Sequence, residues 1–213
     1  MKEKNYKIIK NVLKEAITSI FLYKKGKNHI HVFILNRINF NKLDSLKKDF
    51  KGQNFIVLKK EKDLIEGTDV FALELLYMSK HYEKIEGEDY FQKMNFKKEN
   101  IRSNLEFELR NKLVYLREQF ILSKKPGTFL GFIIPNFDYF LEGLFFLKDK
   151  KRTDNILDDA KMMEKEYGVS LKTFRHLAEK ENNKEKLSKD ETIKIVQGIN
   201  DELVALTEKI NRM

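Results

Sequence analysis

The stretch Ser19–Leu35, SIFLYKKGKNHIHVFIL, restricts the fold of this chain more than any other. Two runs of β-type apolar residues are joined by a short basic turn, and only the five residues from Lys24 to Asn28 lie between them. No helix fits in that space, so the spacing predicts a hairpin. After His31 nearly every residue to Leu35 is apolar, which predicts a strand covered on at least one face. His29 and His31, two residues apart, share one side of that strand. Lys24, Lys25 and Lys27 form a compact cation cluster at the tip.

Around this hairpin the pattern is that of a small α/β domain. Tyr6, Ile9, Leu13 and Ile17 recur at helical spacing, so a helix over residues 3–16 leads into the first strand. A second helix fits Lys42 to Phe50, a short strand fits Asn54 to Leu58, and the apolar run Asp69 to Met78 reads as a further strand after the Gly67-Thr68 turn. Glu83 to Phe96, with Gly87 and scattered charges, reads as a connector. Beyond it Ile101, Leu105, Leu109, Leu113, Leu116 and Phe120 define one long helix over 97–122. Pro126-Gly127 ends the following connection, and Thr128 to Leu147 reads as an aromatic-rich helical pair broken at Pro135. Further helices fit 154–167, with Gly168 as C-cap, 171–180 and 189–211. Asn182 to Lys186 reads as a mobile loop. The expected fold class is α+β, with an α/β domain over 1–90 and an all-α bundle of about five helices over 91–213.

Composition narrows the chemistry. The 213 residues include 17 Phe and 8 Tyr, ample for a core. Without a run of about 18 uncharged apolar residues or a signal-like start, the chain is expected to be soluble and cytoplasmic, with no membrane association. The absence of cysteine agrees with a reducing compartment and excludes disulfides, thiolate metal sites and Cys nucleophiles. Four His and the carboxylates remain as catalytic inventory. Against 33 Asp and Glu stand 42 Lys and Arg, a net charge of +9 that favours polyanions at low salt. Mixed charge on helix faces is also the ordinary means of staying soluble. The lysine tip has the same two readings: a phosphate or nucleic-acid contact, or a soluble turn guarded against edge pairing.

Several segments resemble, in order and over nearly the whole chain, a family of prokaryotic proteins that join a nucleotidyltransferase-like domain to a helical bundle. They are Asp69-Val70-Phe71-Ala72-Leu73-Glu74-Leu75, Gly87-Glu88-Asp89, Glu108-Leu109-Arg110-Asn111-Lys112-Leu113 and Leu116-Arg117-Glu118-Gln119-Phe120. The resemblance implies that Lys24 and Lys25 stand where the family has Gly-Ser, and His29 and His31 where it has its carboxylate pair. Glu74 would correspond to the family's later carboxylate on a strand. Nucleotidyl transfer needs two metal ions held by carboxylates, and imidazole is a poor magnesium ligand. The site is therefore expected to be degenerate, with no catalytic residue and no cofactor. Lys24, Lys25 and Lys27 are its candidate phosphate or nucleic-acid ligands.

Other enzyme classes fail on inventory. The chain has no Gly-x-x-x-x-Gly-Lys loop, no Gly-x-Ser-x-Gly elbow, and no arginine followed four to six residues later by histidine, since Arg175 and His176 are adjacent. His81 with Glu83, Glu86, Glu88 and Asp89 offers an acid/base-like grouping that a solvated connector also explains. A His29/His31 pair suits zinc or nickel only with a third ligand. Phe129, Phe132, Phe137, Tyr139, Phe140, Phe145 and Phe146 suit a core, a ligand cavity or a contact between copies, and a homodimer through Phe137 to Phe146 is expected. The leading expectation is a pseudoenzyme that binds a nucleotide, a nucleic acid or a protein. The alternatives are a residual magnesium-dependent nucleotidyltransferase using Glu74 with Asp69, Glu88 or Asp89, and an antitoxin-like partner of a toxin.

Overall fold

Ser19–Leu35 forms the centre of a mixed four-stranded sheet. Strand β1 (Ile17–Lys25) pairs antiparallel with β2 (Asn28–Leu35), Phe21 opposite Val32 and Tyr23 opposite Ile30. On the far side of β2 lies β3 (Phe55–Lys59), parallel to it; on the far side of β1 lies β4 (Tyr82–Gly87), antiparallel, giving the order β3-β2-β1-β4. The structure, a computed structural model, describes residues 3–25, 28–48, 54–123, 128–153 and 155–213. Its fold is α+β, and the chain divides into two compact units, residues 1–96 and 97–213.

In the first unit both faces of the central strands are buried. Ile20, Phe33 and Leu35 pack with Ile9 and Leu13 of helix α1 (Glu3–Leu13) and Leu46 of α2 (Phe40–Leu46). The alternate residues Phe21 and Tyr23 point the other way. Tyr23 meets Tyr77 of α3 (Ala72–Lys80) edge-on at 6.1 Å, and Phe21 meets Phe91 at 4.8 Å and Tyr82 at 5.5 Å. Burial on both sides is why the strand residues read as a nearly unbroken apolar run.

Two sequence expectations are corrected here. Asp69 to Met78 is not a strand: Asp69 to Phe71 form a turn and Ala72–Lys80 is α3. From Ala72 to Met78 the residues are chiefly Ala, Leu, Glu and Met, strong helix formers, whereas the β-formers Val70 and Phe71 stay exposed in the turn. Ala72, Leu73, Leu75, Leu76, Tyr77 and Met78 are all buried, so no periodicity separates a buried helix from a buried strand in this run. Nor is Glu83 to Phe96 only a connector, because β4 ends within it. That strand is an edge whose outer residues are charged and exposed, which conceals the alternation. It ends at Gly87, whose φ of +84° suits glycine; a Cβ there would run into the Thr18 carbonyl oxygen and the Ser19 Cα.

The second unit is all helical: α4 (Lys98–Leu122), α5 (Ile133–Leu147), α6 (Ile156–Tyr167), α7 (Lys172–Asn182) and α8 (Lys189–Asn211). Pro135 does not break the aromatic segment. It falls in the first turn of α5, where the missing N–H has no intrahelical partner to lose. Pro126-Gly127 lies outside the described residues. Helix α6 starts at Asn155, whose side chain accepts from Leu157 N at 2.9 Å, and ends at Gly168 in the left-handed conformation, φ +62°. Ser188 and Glu191 form a capping box on α8. Helix α7 has no local side-chain cap; Glu202 of α8 accepts from Thr173 N at 2.5 Å and Phe174 N at 3.0 Å instead.

Arg152 organises a buried charge network. Its guanidinium donates to Asp138 at 2.6 Å, to the fully buried Asp159 at 2.8 Å and to Glu142 at 3.4 Å. Burial opposes the charged form, but these carboxylates outweigh it and hold the guanidinium pKa above its ordinary value. Asp159 also accepts from Thr153 N at 2.7 Å, so the network ties α5 and α6 to the loop between them.

Two stability predictions follow the geometry. Gly87→Ala should cost about 2 to 4 kcal/mol in urea unfolding, whereas Gly131→Ala, whose Cβ meets nothing within 4 Å, should be close to neutral. Arg152→Ala leaves buried carboxylates without their partner and should cost about 3 to 5 kcal/mol by the same measurement.

Candidate functional site

The hairpin register assigns each candidate to a face of the sheet. Lys24 stands opposite His29 and Leu22 opposite His31, so both histidines share a side with Ile20 and Phe33. Lys24 and His29 are exposed, and His31 is half-buried. The side chain of Lys25 and all of Lys27 lie outside the described residues. Across the next strand pair Leu22 stands opposite Glu83, and the Glu83 carboxylate is 3.3 Å from the Lys24 ammonium.

Glu74 belongs to the opposite side. It lies on α3 rather than on a strand, and accepts a hydrogen bond from the Tyr23 hydroxyl at 3.2 Å. Tyr23 is fully buried on the face away from the histidines. The sheet therefore stands between Glu74 and the His29/His31 pair, and the three positions that the resemblance groups are not brought together. Among the described residues no three His, Asp or Glu side chains meet in a way that would hold a metal ion.

The acidic residues near His81 are likewise dispersed among separate partners. Glu83 faces Lys24, Glu86 meets Lys10 of α1 at 2.7 Å, and Glu88 meets Lys93 at 2.6 Å. Asp89 accepts from the Tyr82 hydroxyl at 2.8 Å and from Gln92 N at 3.2 Å. The Tyr82 phenol is pushed up to about 12 by burial and by its bond to Asp89. His81 stacks on Tyr77, with ring centroids 4.1 Å apart. These acids are thus engaged with separate partners rather than gathered on His81.

What sequence reading missed is the countercharge. Glu83 answers Lys24 only because Tyr82–Gly87 is a strand, and the signal available was the charge pattern of that short segment.

The aromatic helix of the second unit is a core element. Phe137, Phe140, Leu141, Leu144 and Phe145 are fully buried, and Phe137 stacks on Phe174 of α7 with centroids 4.0 Å apart. Phe residues surround α5 because it is enclosed by its own unit, which leaves Phe146 only half-buried. The pocket beside it, lined by Leu116, Phe132, Phe137 and Ile199, holds about 10 Å³, no more than one water. Leu130–Leu147 is, among the described residues, the one stretch with the length and apolarity of a membrane span, and 61% of it is buried inside the protein, as in a core helix.

Burial lowers the His31 pKa from its ordinary 6.5, with the neighbouring His29 acting in the same direction. A depressed folded pKa contributes stability above pH 6.5 that is lost as pH falls through the folded value. The His31 ring proton should titrate below 6.5 in an NMR pH series, and His31→Gln should remove part of the acid-side loss of stability. Compared with models of protein families and with curated proteins, the chain matches none.

Proposed function

We propose that this chain is a non-catalytic, nucleotidyltransferase-like binding module acting in the cytoplasm, whose hairpin tip holds the phosphates of a nucleic acid. The observation that carries the reading is the register that sets Lys24 and His29 side by side at the exposed end of the strand pair. In sequence Lys25 and Lys27 adjoin them, and the whole chain carries a net charge of +9. Glu83 sets the balance: its exposed pairing with Lys24 is a weak one that a polyanion displaces at little cost. Burial lowers the His31 pKa, which favours its uncharged ring beside the tip.

Support for the non-catalytic half of the reading comes from the carboxylates. A residual nucleotidyltransferase would need Glu74 beside a second acid, yet Glu74 is bonded to Tyr23, Glu88 to Lys93 and Asp89 to Tyr82. The zero cysteine count, and the burial of the one span-length apolar stretch among the described residues, agree with a cytoplasmic setting.

Fluorescence anisotropy with a labelled single-stranded oligonucleotide tests the binding. The expected affinity falls with salt at a log–log slope of about −2, as three phosphate contacts produce, and is unchanged by EDTA. In a Lys24→Ala/Lys25→Ala/Lys27→Ala variant it should drop at least tenfold. Undiminished binding in that variant would overturn the site.

A further inference from the structure

Helix α4 carries two apolar lines. Ile101, Leu105, Leu109, Leu113 and Leu116 are buried in the helical unit. On the other side lie Phe107, Val114 and Ile121, which are 64%, 65% and 80% exposed. A seven-residue step falls only about 20° short of two full turns, so these three stay in line along the outward face. An ordinary surface helix puts polar residues there. At its C-terminal end the line enters a groove of about 400 Å³ between α4 and α8, where Phe120, Ile193 and Val196 extend the apolar surface.

The flanks of the line differ in charge. Helical geometry puts Arg110 and Arg117 on one side of it and Asn111 and Glu118 on the other. Arg110 bonds Glu106 within the helix at 2.9 Å, and Arg117 donates to Asn200 of α8 at 3.0 Å, while Glu118 makes no ion pair among the described residues.

We infer that α4 pairs with α4 of a second copy of this chain, the two helices running parallel about a two-fold axis. The seven-residue spacing brings Phe107, Val114 and Ile121 each against its own mate, in successive layers of one seam. The orientation comes from the flanks. In a parallel pair each flank faces the opposite flank of the other helix, so Arg117 meets Glu118 of the second copy, and the reverse, while Arg110 meets Asn111. An antiparallel pair would set Arg110 against Arg117 instead. A two-fold contact has to be self-complementary, and this face is so only in the parallel sense. It also supplies the second copy with a surface that the enclosed α5 lacks.

The absence of cysteine makes the test clean. Phe107→Cys, Val114→Cys and Ile121→Cys, made singly in the full chain, are oxidised under mild conditions and run on a non-reducing gel. Light scattering is run alongside on the wild type and on Val114→Glu. All three cysteine variants should cross-link to themselves. The wild type should have the mass of two chains, and Val114→Glu the 25.4 kDa of one with an unchanged melting curve. A monomeric wild type overturns the inference, as does a Val114→Glu variant that stays dimeric, or cross-linking at residue 114 alone, which marks an antiparallel pair.

Discussion

Burial of the β1–β2 pair on both faces governs everything else in residues 1–96. An apolar sheet covered on one side leaves the other free for ligands; this one has α1 and α2 over Ile20, Phe33 and Leu35, and α3 with Phe91 over Phe21 and Tyr23. Each large side chain fully buried in this way contributes about 1.5 to 3 kcal/mol, and few positions on the strands escape that duty. What remains accessible is the end of the hairpin, where Lys24 and His29 emerge. The proposed phosphate site at the tip is thus the part of the strand pair that this packing leaves open.

That packing also disposes of the carboxylate. Glu74 is on a helix whose neighbouring residues are buried on all sides, and the hydrogen bond that it accepts from Tyr23 ties it to the far face of the sheet. For metal-assisted transfer the acids must converge on one point within a few ångströms. Here a layer of backbone and aromatic rings separates Glu74 from the strand positions that the family resemblance pairs with it. The helical unit follows the same logic with charge: the half-buried Arg152 satisfies a cluster of carboxylates that includes the buried Glu142 and Asp159, and the buried Glu202 satisfies the open N-terminus of α7. Both are structural solutions to burial.

The hairpin, the flanking helix α1 and the helices of residues 97–213 were legible because each has a clear period or a clear stop. The capping pair Ser188 and Glu191 and the left-handed Gly168 are local signals that the sequence displays outright. Asp69 to Met78 was illegible for the opposite reason: a helix buried all round and a buried strand are both simply apolar, and only the Ala, Leu, Glu and Met content favours the helix. β4 hid behind its charges, since an edge strand with solvent on its outer side has no apolar alternation to show. Pro135 misled because its effect depends on position, and a first-turn proline is harmless. At the site the side-sharing of His29 and His31 followed from strand geometry, whereas the Glu83 countercharge and the opposite placement of Glu74 required the strand order and the helix α3, neither of which the sequence made plain.

Transfer itself is the most direct thing to measure. The full-length protein would be incubated with radiolabelled nucleoside triphosphates and magnesium, with and without RNA as acceptor, and compared with its Glu74→Gln variant and a protein-free control. With Glu74 on the far side of the sheet from His29 and His31, the proposed non-catalytic role predicts no label above the control, in the wild type or the variant. Magnesium-dependent labelling that disappears with Glu74→Gln would contradict the account.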